Sequence, residues 1–413
     1  MSFSNNRALT RGNDRLSNVS AARGSDDALC ELLFPNGIPA DFIISGGVTE
    51  GDRYRSIPAV LARLVGRLPV IVLHGGSPFT EELANRAIGY MPPERRVPLW
   101  ITNRKETNLE PFLGMEPNEV VMACRQMAEL LNYTVTARFE RIIRAYLDIL
   151  RLIRVPVSLS GLSYLCGITD IGEFHDNIME LPCNRREQER IWAELGLEDD
   201  AGYEQHAQFR TLIANLSAEA ERCGWNPDRQ VGFANCIRAI DNHAVLTVNV
   251  FESGYGLMLR YLARELSTQS NRAFFLLIDN VRLQDEELLK LLCSPGKNFC
   301  VGIIAGDAVH LLGSEELFFR LAERMHCFVL YKHRVARTAQ TLSELVGKYE
   351  KTKTDYSEGR GRGFGRLLPD NVHRDVRYST ENSFRIMPEE FTALGEGQAI
   401  LFDTQMDRII YFN

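Results

Sequence analysis

The chain predicts an α/β protein, a doubly wound sheet interrupted by an inserted all-helical domain. Three observations carry the prediction. Short runs rich in Val, Ile, Leu and Phe alternate with segments of helical spacing near the start of the chain and again beyond residue 239. Glycine pairs directly follow the first two of these runs, as in the strand–turn–helix units of a parallel sheet. Between the two α/β stretches, Glu116 to Arg238 is helical in pattern and shows no strand signal.

Taken in order, residues 1–27 read as a flexible tail, with Arg7, Arg11, Arg15 and Arg23 against Asp14 and no apolar core of a signal peptide. Phe42 to Ser45 is a buried strand that runs into Gly46-Gly47, and Ile57 to Leu68 has the spacing of a helix. Val70 to Leu73 is a second strand, closed by a turn at Gly75-Gly76-Ser77-Pro78. In the helical region, Met122, Met127, Leu130 and Leu131 form one apolar stripe, and Phe139, Ile142, Ile143, Tyr146, Leu147 and Leu150 another. Strands return at Val245 to Val250, Phe274 to Ile278, Phe299 to Ile304 and Cys327 to Tyr331, each followed by a helical segment. Tyr356 to Asn382, with Glu358 to Arg366 alternating Gly and Arg, reads as a flexible loop by composition. A helical turn at Pro388 to Leu394 and a closing hairpin at Ala399 to Phe402 and Arg408 to Phe412 end the chain. The expected division is residues 1–27 as tail, 28–112 with 239–413 as the α/β domain, and 113–238 as the helical insertion.

Composition narrows the function classes. A formal net charge of −7 makes the whole molecule no general polyanion binder, so any nucleic-acid contact would need a local patch. The nine cysteines form no CxxC pair and mostly sit in apolar runs, which predicts buried free thiols and a reducing cytoplasm. No apolar stretch reaches the roughly 18 residues needed to span a bilayer. The eight histidines show no metal-ligand spacing, and no metal site is expected.

The segment Gly46-Gly47-Val48-Thr49-Glu50-Gly51-Asp52-Arg53 stands where a phosphate loop would stand, between a strand and a helix. A working loop reads GxxxxGK[ST]: glycines let backbone N–H groups curl around phosphates, the Lys neutralises them, and the hydroxyl holds magnesium. Gly46 and Gly51 keep the spacing, but Asp52 replaces the Lys, Arg53 replaces the hydroxyl and Glu50 adds a second carboxylate. Asp279 closes the apolar run Phe274 to Ile278, the place of a magnesium-organising acid, and Asn280 follows where a Glu would polarise water. Asn cannot accept a proton at neutral pH. Asp279 reads equally well as the cap of a following helical turn. Asp307, after the next strand and Gly306, occupies the position of a polar sensor, where a carboxylate would repel the γ-phosphate.

With these positions in order, the chain resembles the soluble part of the type IV coupling proteins, conjugative DNA-pumping ATPases of the FtsK–HerA class. Further support comes from Phe318 to Glu323 and Cys327 to Leu330 after the sensor position, from Thr338 to Gly347, and from the late Ser383-Phe384-Arg385-Ile386-Met387-Pro388-Glu389-Glu390-Phe391-Thr392-Ala393-Leu394 before the hairpin. The resemblance implies a RecA-like P-loop NTPase sheet carrying the all-helical insertion, and assembly into rings. The Lys, Ser/Thr, Glu and Gln of the family are unmatched, as are its N-terminal membrane helices, so neither its ATPase activity nor its membrane anchoring is carried over.

The expectation is therefore a catalytically degenerate coupling-protein relative: an adaptor or structural subunit of a secretion or conjugation machine. It would be cytoplasmic, or peripheral at the inner face of the membrane through its partners, as a homo-oligomer or with a true ATPase. No catalytic residue and no cofactor is expected. Glu194, Glu198, Asp199, Asp200 and Glu204 on the helical domain suit a basic partner or form a solvated face. Two alternatives stand. One is a slow ATP- and magnesium-binding translocase in which Arg53 replaces the Lys and Asp279 holds the metal. The other is a nucleic-acid contact through Arg360, Arg362, Phe364 and Arg366, with phosphate pairing and base stacking.

Overall fold

The structure, a computed structural model, describes residues 19–20, 29, 33–35, 38–54, 57–76, 80, 82, 99–101, 108–112, 114–223, 233–250, 256–361 and 371–412. For 19–20, 59, 99–101, 108–109, 233–234, 351–361 and 371–381 it describes the backbone.

The strands are β1 (Val19–Ser20), β2 (Phe42–Ser45), β3 (Val70–His74), β4 (Leu99–Ile101), β5 (Asn108–Leu109), β6 (Phe233–Ala234), β7 (Val245–Asn249), β8 (Phe275–Asp279), β9 (Cys300–Ala305), β10 (Cys327–Leu330), β11 (Lys348–Gly361), β12 (Asn371–Phe384), β13 (Ala399–Asp403) and β14 (Arg408–Phe412). Ten of them form one sheet in the order β1-β14-β13-β10-β2-β9-β8-β3-β7-β4. From β10 to β4 every neighbour pair is parallel, and β13 and β14 add the expected antiparallel hairpin at one side.

Both faces of this sheet are buried, which is why its strands read as continuous apolar runs rather than as an alternating pattern. Phe42, Ile44, Val70, Val72, Phe275 and Leu277 pack on one face with Ile57, Val60, Leu61 and Leu64 of the helix Ile57–Leu64. Ile43, Ile71, Leu73, Leu276 and Ile278 point to the other face and join the core of the helical region. The parallel register brings Ser45, His74, Asp279 and Ala305 to one edge, at the C-terminal ends of adjacent strands. Ligand sites of open α/β sheets form at that edge.

Helices run from Pro117 to Arg222, and their starts carry side-chain caps at Thr136, Ser158, Asp170, Asn184 and Asp199. Each cap oxygen accepts a backbone N–H of the first turn that the helix itself cannot satisfy. The interior is built on Phe139, Tyr146, Phe174 and Phe209, with the Tyr146 hydroxyl 2.9 Å from Nε2 of the buried His206.

Two buried glutamates join this bundle to the sheet side. Glu110 accepts the N–H groups of Phe112 and of Leu159, at the start of the helix Leu159–Gly167. Glu219, on the helix Asp200–Arg222, accepts the N–H of Met258 at the start of Leu257–Thr268. Burial raises both carboxyls above their usual range, Glu110 to about 7, while the backbone donors pull the other way.

Four expectations need correction. Tyr356 to Asn382 is no loop over its described part: β11 and β12 pair residue for residue from Lys348–Phe384 to Gly361–Asn371. β11 carries Thr352, Thr354 and Tyr356 and β12 carries Val372, Val376 and Tyr378, residue types that favour strands, and the Gly-Arg composition concealed them. Within the tail, Val19–Ser20 pairs in parallel with Ile409–Ile410 and covers the open edge of β14. The helical region is not strand-free, since Phe233–Ala234 pairs with Asn108–Leu109 at its base. Met122 leaves its apolar stripe and is 48% exposed, whereas Met127 and Leu130 are buried.

Among the described residues no helix is long and apolar enough to cross a membrane. The eight described cysteines are free thiols; five are buried, while Cys183, Cys293 and Cys300 are half-buried.

Candidate functional site

The turn after β2 is shaped by two glycines in the left-handed region, Gly46 at φ 92° and Gly47 at φ 126°. The Gly46 N–H donates to the Ala305 carbonyl and the Gly47 N–H to that of Lys332. A Cβ on Gly46 would lie 2.8 Å from both His333 Nε2 and the Lys332 oxygen, so only glycine fits there. Gly51 is different: a Cβ would meet only Thr49 Oγ1, at 3.6 Å.

The short helix Glu50–Tyr54 follows, and Asp52 turns back from it into the loop. Its Oδ2 accepts the N–H groups of Val48 at 2.8 Å and Thr49 at 3.1 Å, and its Oδ1 accepts that of Gly397 at 3.1 Å. The carboxylate is buried and sits on the loop's own backbone donors. Arg53 lies alongside. Its Nη1 donates to the Gly46 carbonyl at 3.3 Å, and its Nη2 stands 3.9 Å from Glu50. The guanidinium is 5.9 Å from the Tyr54 ring centre and faces Gly306 across the loop.

Asp279 ends β8 fully buried. The Tyr54 hydroxyl donates toward both of its oxygens, at 2.8 and 2.9 Å, and the Thr80 hydroxyl to Oδ2. It is not a helix cap: the next helix, Glu286–Leu292, starts under its own cap, Asp285. Asn280 takes φ 53°, a left-handed conformation that Asn tolerates, and its N–H donates to the Ile304 carbonyl. Asp307 caps the helix Ala308–Leu312 by accepting the His310 N–H at 3.0 Å, while the Thr338 hydroxyl donates to its other oxygen at 2.6 Å. The Ser45 hydroxyl oxygen accepts the Ala308 N–H beside it.

Two histidines complete the surroundings. His74, in register with Asp279 on the adjacent strand, is held down to about 4 by burial and is neutral at pH 7. His333 is also buried, and burial lowers it against the opposing pull of Asp307.

Gly46, Gly47, Gly51, Asp52, Arg53, Asp279, Asn280 and Asp307 thus gather at one edge of the sheet. Asp52, Asp279 and Asp307 each accept from two or more donors of the chain itself. Sequence reasoning missed Tyr54, Thr80, Thr338, His333 and the Gly397 N–H. Tyr54 stood one residue beyond the expected hydroxyl, but nothing local marked the others. Arg360 belongs to β11, in a two-stranded sheet separate from the main one; Arg362, Phe364 and Arg366 lie outside the described residues. Of the acids on the helical domain, Glu194 pairs with Arg190, and Asp199 caps its helix and pairs with Arg138. Glu198, Asp200 and Glu204 are exposed.

No family model and no curated protein matches the sequence. Among solved structures, the chain is similar to the unbound monoclinic form of the bacterial conjugative coupling protein TrwBdeltaN70. The TM-score is 0.55 at 14% identity, over 91% of this chain and 86% of that one. It is also similar to the plasmid coupling protein TrwB in complex with ADP and Mg2+, with a TM-score of 0.55 at 12% identity over 98% and 92% of the two chains. TrwB in complex with the non-hydrolysable GTP analogue GDPNP gives a TM-score of 0.53 at 13% identity, over 91% and 87%. At these identities the likeness is one of fold. It agrees with the α/β, RecA-like NTPase sheet expected from the sequence and with the coupling-protein resemblance at that level.

Proposed function

We propose that the chain is a component of a type IV secretion or conjugation-type machine that works as an adaptor or structural subunit through protein contacts, without turning over ATP. The general role rests on the shared fold with proteins described as conjugative coupling proteins. The observation that carries the second half is the position of Asp52. In a working loop the N–H groups after the glycines face phosphate; here those of Val48 and Thr49 already hold a carboxylate of the chain. A phosphate brought to about 4 Å from that charge would meet roughly 4 kcal/mol of repulsion per unit charge in partly buried surroundings.

The metal side of the site supports the same reading. A magnesium ion would need an oxygen face of Asp279, and the hydroxyls of Tyr54 and Thr80 are bonded there. Asn280 offers no base for water. The residues present do not fit a magnesium nucleotide, so no catalytic step is assigned to them. The scaffold would act at the cytoplasmic side through its partners, whether other copies, a true ATPase or other machine components. The exposed Glu198, Asp200 and Glu204 offer a basic partner an acidic patch on the helical domain.

Calorimetry and thermal unfolding with Mg-ATP test the proposal, beside affinity capture from the native cell. The expected result is no saturable binding and no nucleotide-dependent rise in melting temperature. Micromolar binding with turnover that Asp279→Ala abolishes would overturn it in favour of an unconventional ATPase.

A further inference from the structure

The ten-stranded sheet ends on one side at β14, and little covers that edge. On its inner side β14 pairs with β13 along all of Arg408–Phe412. On its outer side Val19–Ser20 is in register with Ile409 and Ile410 alone. Among the described residues, Arg408, Tyr411 and Phe412 have no strand opposite them there. Both faces of β14 belong to the interior. Ile410 and Phe412 join the core on the side of the helix Ile57–Leu64, and Ile409 joins the core on the other side, with Tyr411 packed against it. An edge strand that is apolar on both faces is a template for pairing with another chain.

Sheets commonly protect such an edge with charges, proline or a bulge. β14 carries one charge, at Arg408, and no proline. Its protection therefore rests on β1. A two-residue ladder supplies few backbone hydrogen bonds, and the cost of ordering the segment opposes them. Residues 21–28 connect Ser20 to Leu29, which is again part of the core that holds Ile410 and Phe412. So short a tether keeps the segment near the edge when it detaches.

β14 is complementary to a second copy of itself. Antiparallel pairing about a twofold axis at Ile410 overlaps the whole strand: Ile410 meets Ile410, Ile409 meets Tyr411, and Arg408 meets Phe412. Opposite residues then share a face, no like charges are opposed, and the apolar layers on both sides continue from one sheet into the next.

We propose that the β14 edge is a self-association surface held closed by the chain's own β1. When Val19–Ser20 detaches, two copies join antiparallel through β14 into one continuous sheet. The assignment to a second copy rests on the self-complementarity of Arg408–Phe412, and it is independent of the reading given to the phosphate loop.

The test compares the full chain with its Val19→Pro/Ser20→Pro variant, since proline cannot donate to a ladder. Sedimentation velocity over about 1–100 μM reads association, and hydrogen exchange by mass spectrometry reads the amides of Ile409–Phe412. The variant should dimerise with a Kd on the order of 10 μM, and the parent about tenfold or more weaker. At about 1 μM the variant's amides at Ile409–Phe412 should exchange about tenfold faster than the parent's, and at about 100 μM the dimer should protect them again. A synthetic peptide of residues 14–24, at about 1 mM, should return the variant to monomer, and the same peptide carrying both prolines should not. Val19→Gly/Ser20→Gly keeps every backbone donor and weakens the strand through backbone entropy alone; it should fall between parent and proline variant, and serves if the proline variant fails to fold. Equal association of parent and variants, unchanged exchange at Ile409–Phe412, or a dimer that the peptide leaves intact would overturn the proposal. Faster exchange in a variant that stays monomeric would overturn the assignment to a second copy.

Discussion

Replacing Asp52 by Ala removes one carboxylate and strands three backbone donors, those of Val48, Thr49 and Gly397. Hydrogen bonds to a charged acceptor contribute about 1.5–3 kcal/mol each, which sets a ceiling well above the true loss. Thr49 is exposed and Val48 and Gly397 are half-buried, so water recovers part of each bond. A net destabilisation of about 2–4 kcal/mol is expected, read as a lowered midpoint in urea or thermal unfolding. Asp52→Asn keeps one acceptor oxygen and should lose about half as much. The same variant carries a second readout. With the carboxylate gone, the loop N–H groups face a vacancy suited to an anion, so inorganic phosphate should stabilise Asp52→Ala and leave the parent chain unmoved. A stability change within about 0.5 kcal/mol, the range of ordinary surface substitutions, together with no phosphate effect, would refute the idea that Asp52 stands in for a ligand.

Three further outcomes are expected. Tyr54→Phe removes a donor from the fully buried Asp279 and should cost about 1.5–3 kcal/mol; Thr80→Val shares that acceptor, so a double-mutant cycle in urea should give a non-additive sum. Gly46→Ala places a Cβ against His333 and the Lys332 carbonyl at φ 92°, and a loss of about 3 kcal/mol or more should appear as a drop in soluble yield and melting temperature. Glu265→Gln should change the pH dependence of stability. The native carboxyl is raised from 4.5 to about 8, so the folded state keeps a proton that the unfolded chain gives up, and parent stability falls as pH rises through that window. Gln has no such slope. The variant should therefore gain on the parent between about pH 5 and about pH 9, with a ceiling of about 5 kcal/mol at 1.36 kcal/mol per pH unit; parallel curves for the two proteins would count against it.

How much of this could be read from the residues depends on range. The strand runs, the glycine turn after Ser45 and the acid closing β8 are local patterns, and each is where periodicity placed it. The contacts that define the edge cluster are not local. Tyr54 and Thr80 reach Asp279 from 225 and 199 residues away, and Gly397 reaches Asp52 from 345. No motif spacing encodes such distances; the parallel sheet order creates them. The ribbon of β11 and β12 was hidden for another reason: its glycines and arginines resemble a linker in composition, while pairing over 14 residues per arm depends on the partner strand. Met122 fitted a helical stripe by spacing, yet a cavity beside it leaves it uncovered, which periodicity alone cannot register.

The two glutamates that cap across the seam also bear on how such a protein could diversify. Glu110 terminates a helix of the bundle from the sheet side, and Glu219 terminates a helix of the sheet side from the bundle. Each half thus supplies the other with a buried acceptor. Exchanging the bundle for an unrelated one would uncap Leu257–Thr268 and take from the buried Glu110 the Leu159 N–H, its one helix anchor. A new partner specificity is therefore more accessible through point changes on the bundle's outer surface than through transplanting the bundle whole. Chimaeras joined near residues 113 and 238 should fold only when the incoming bundle brings its own equivalent of Glu219.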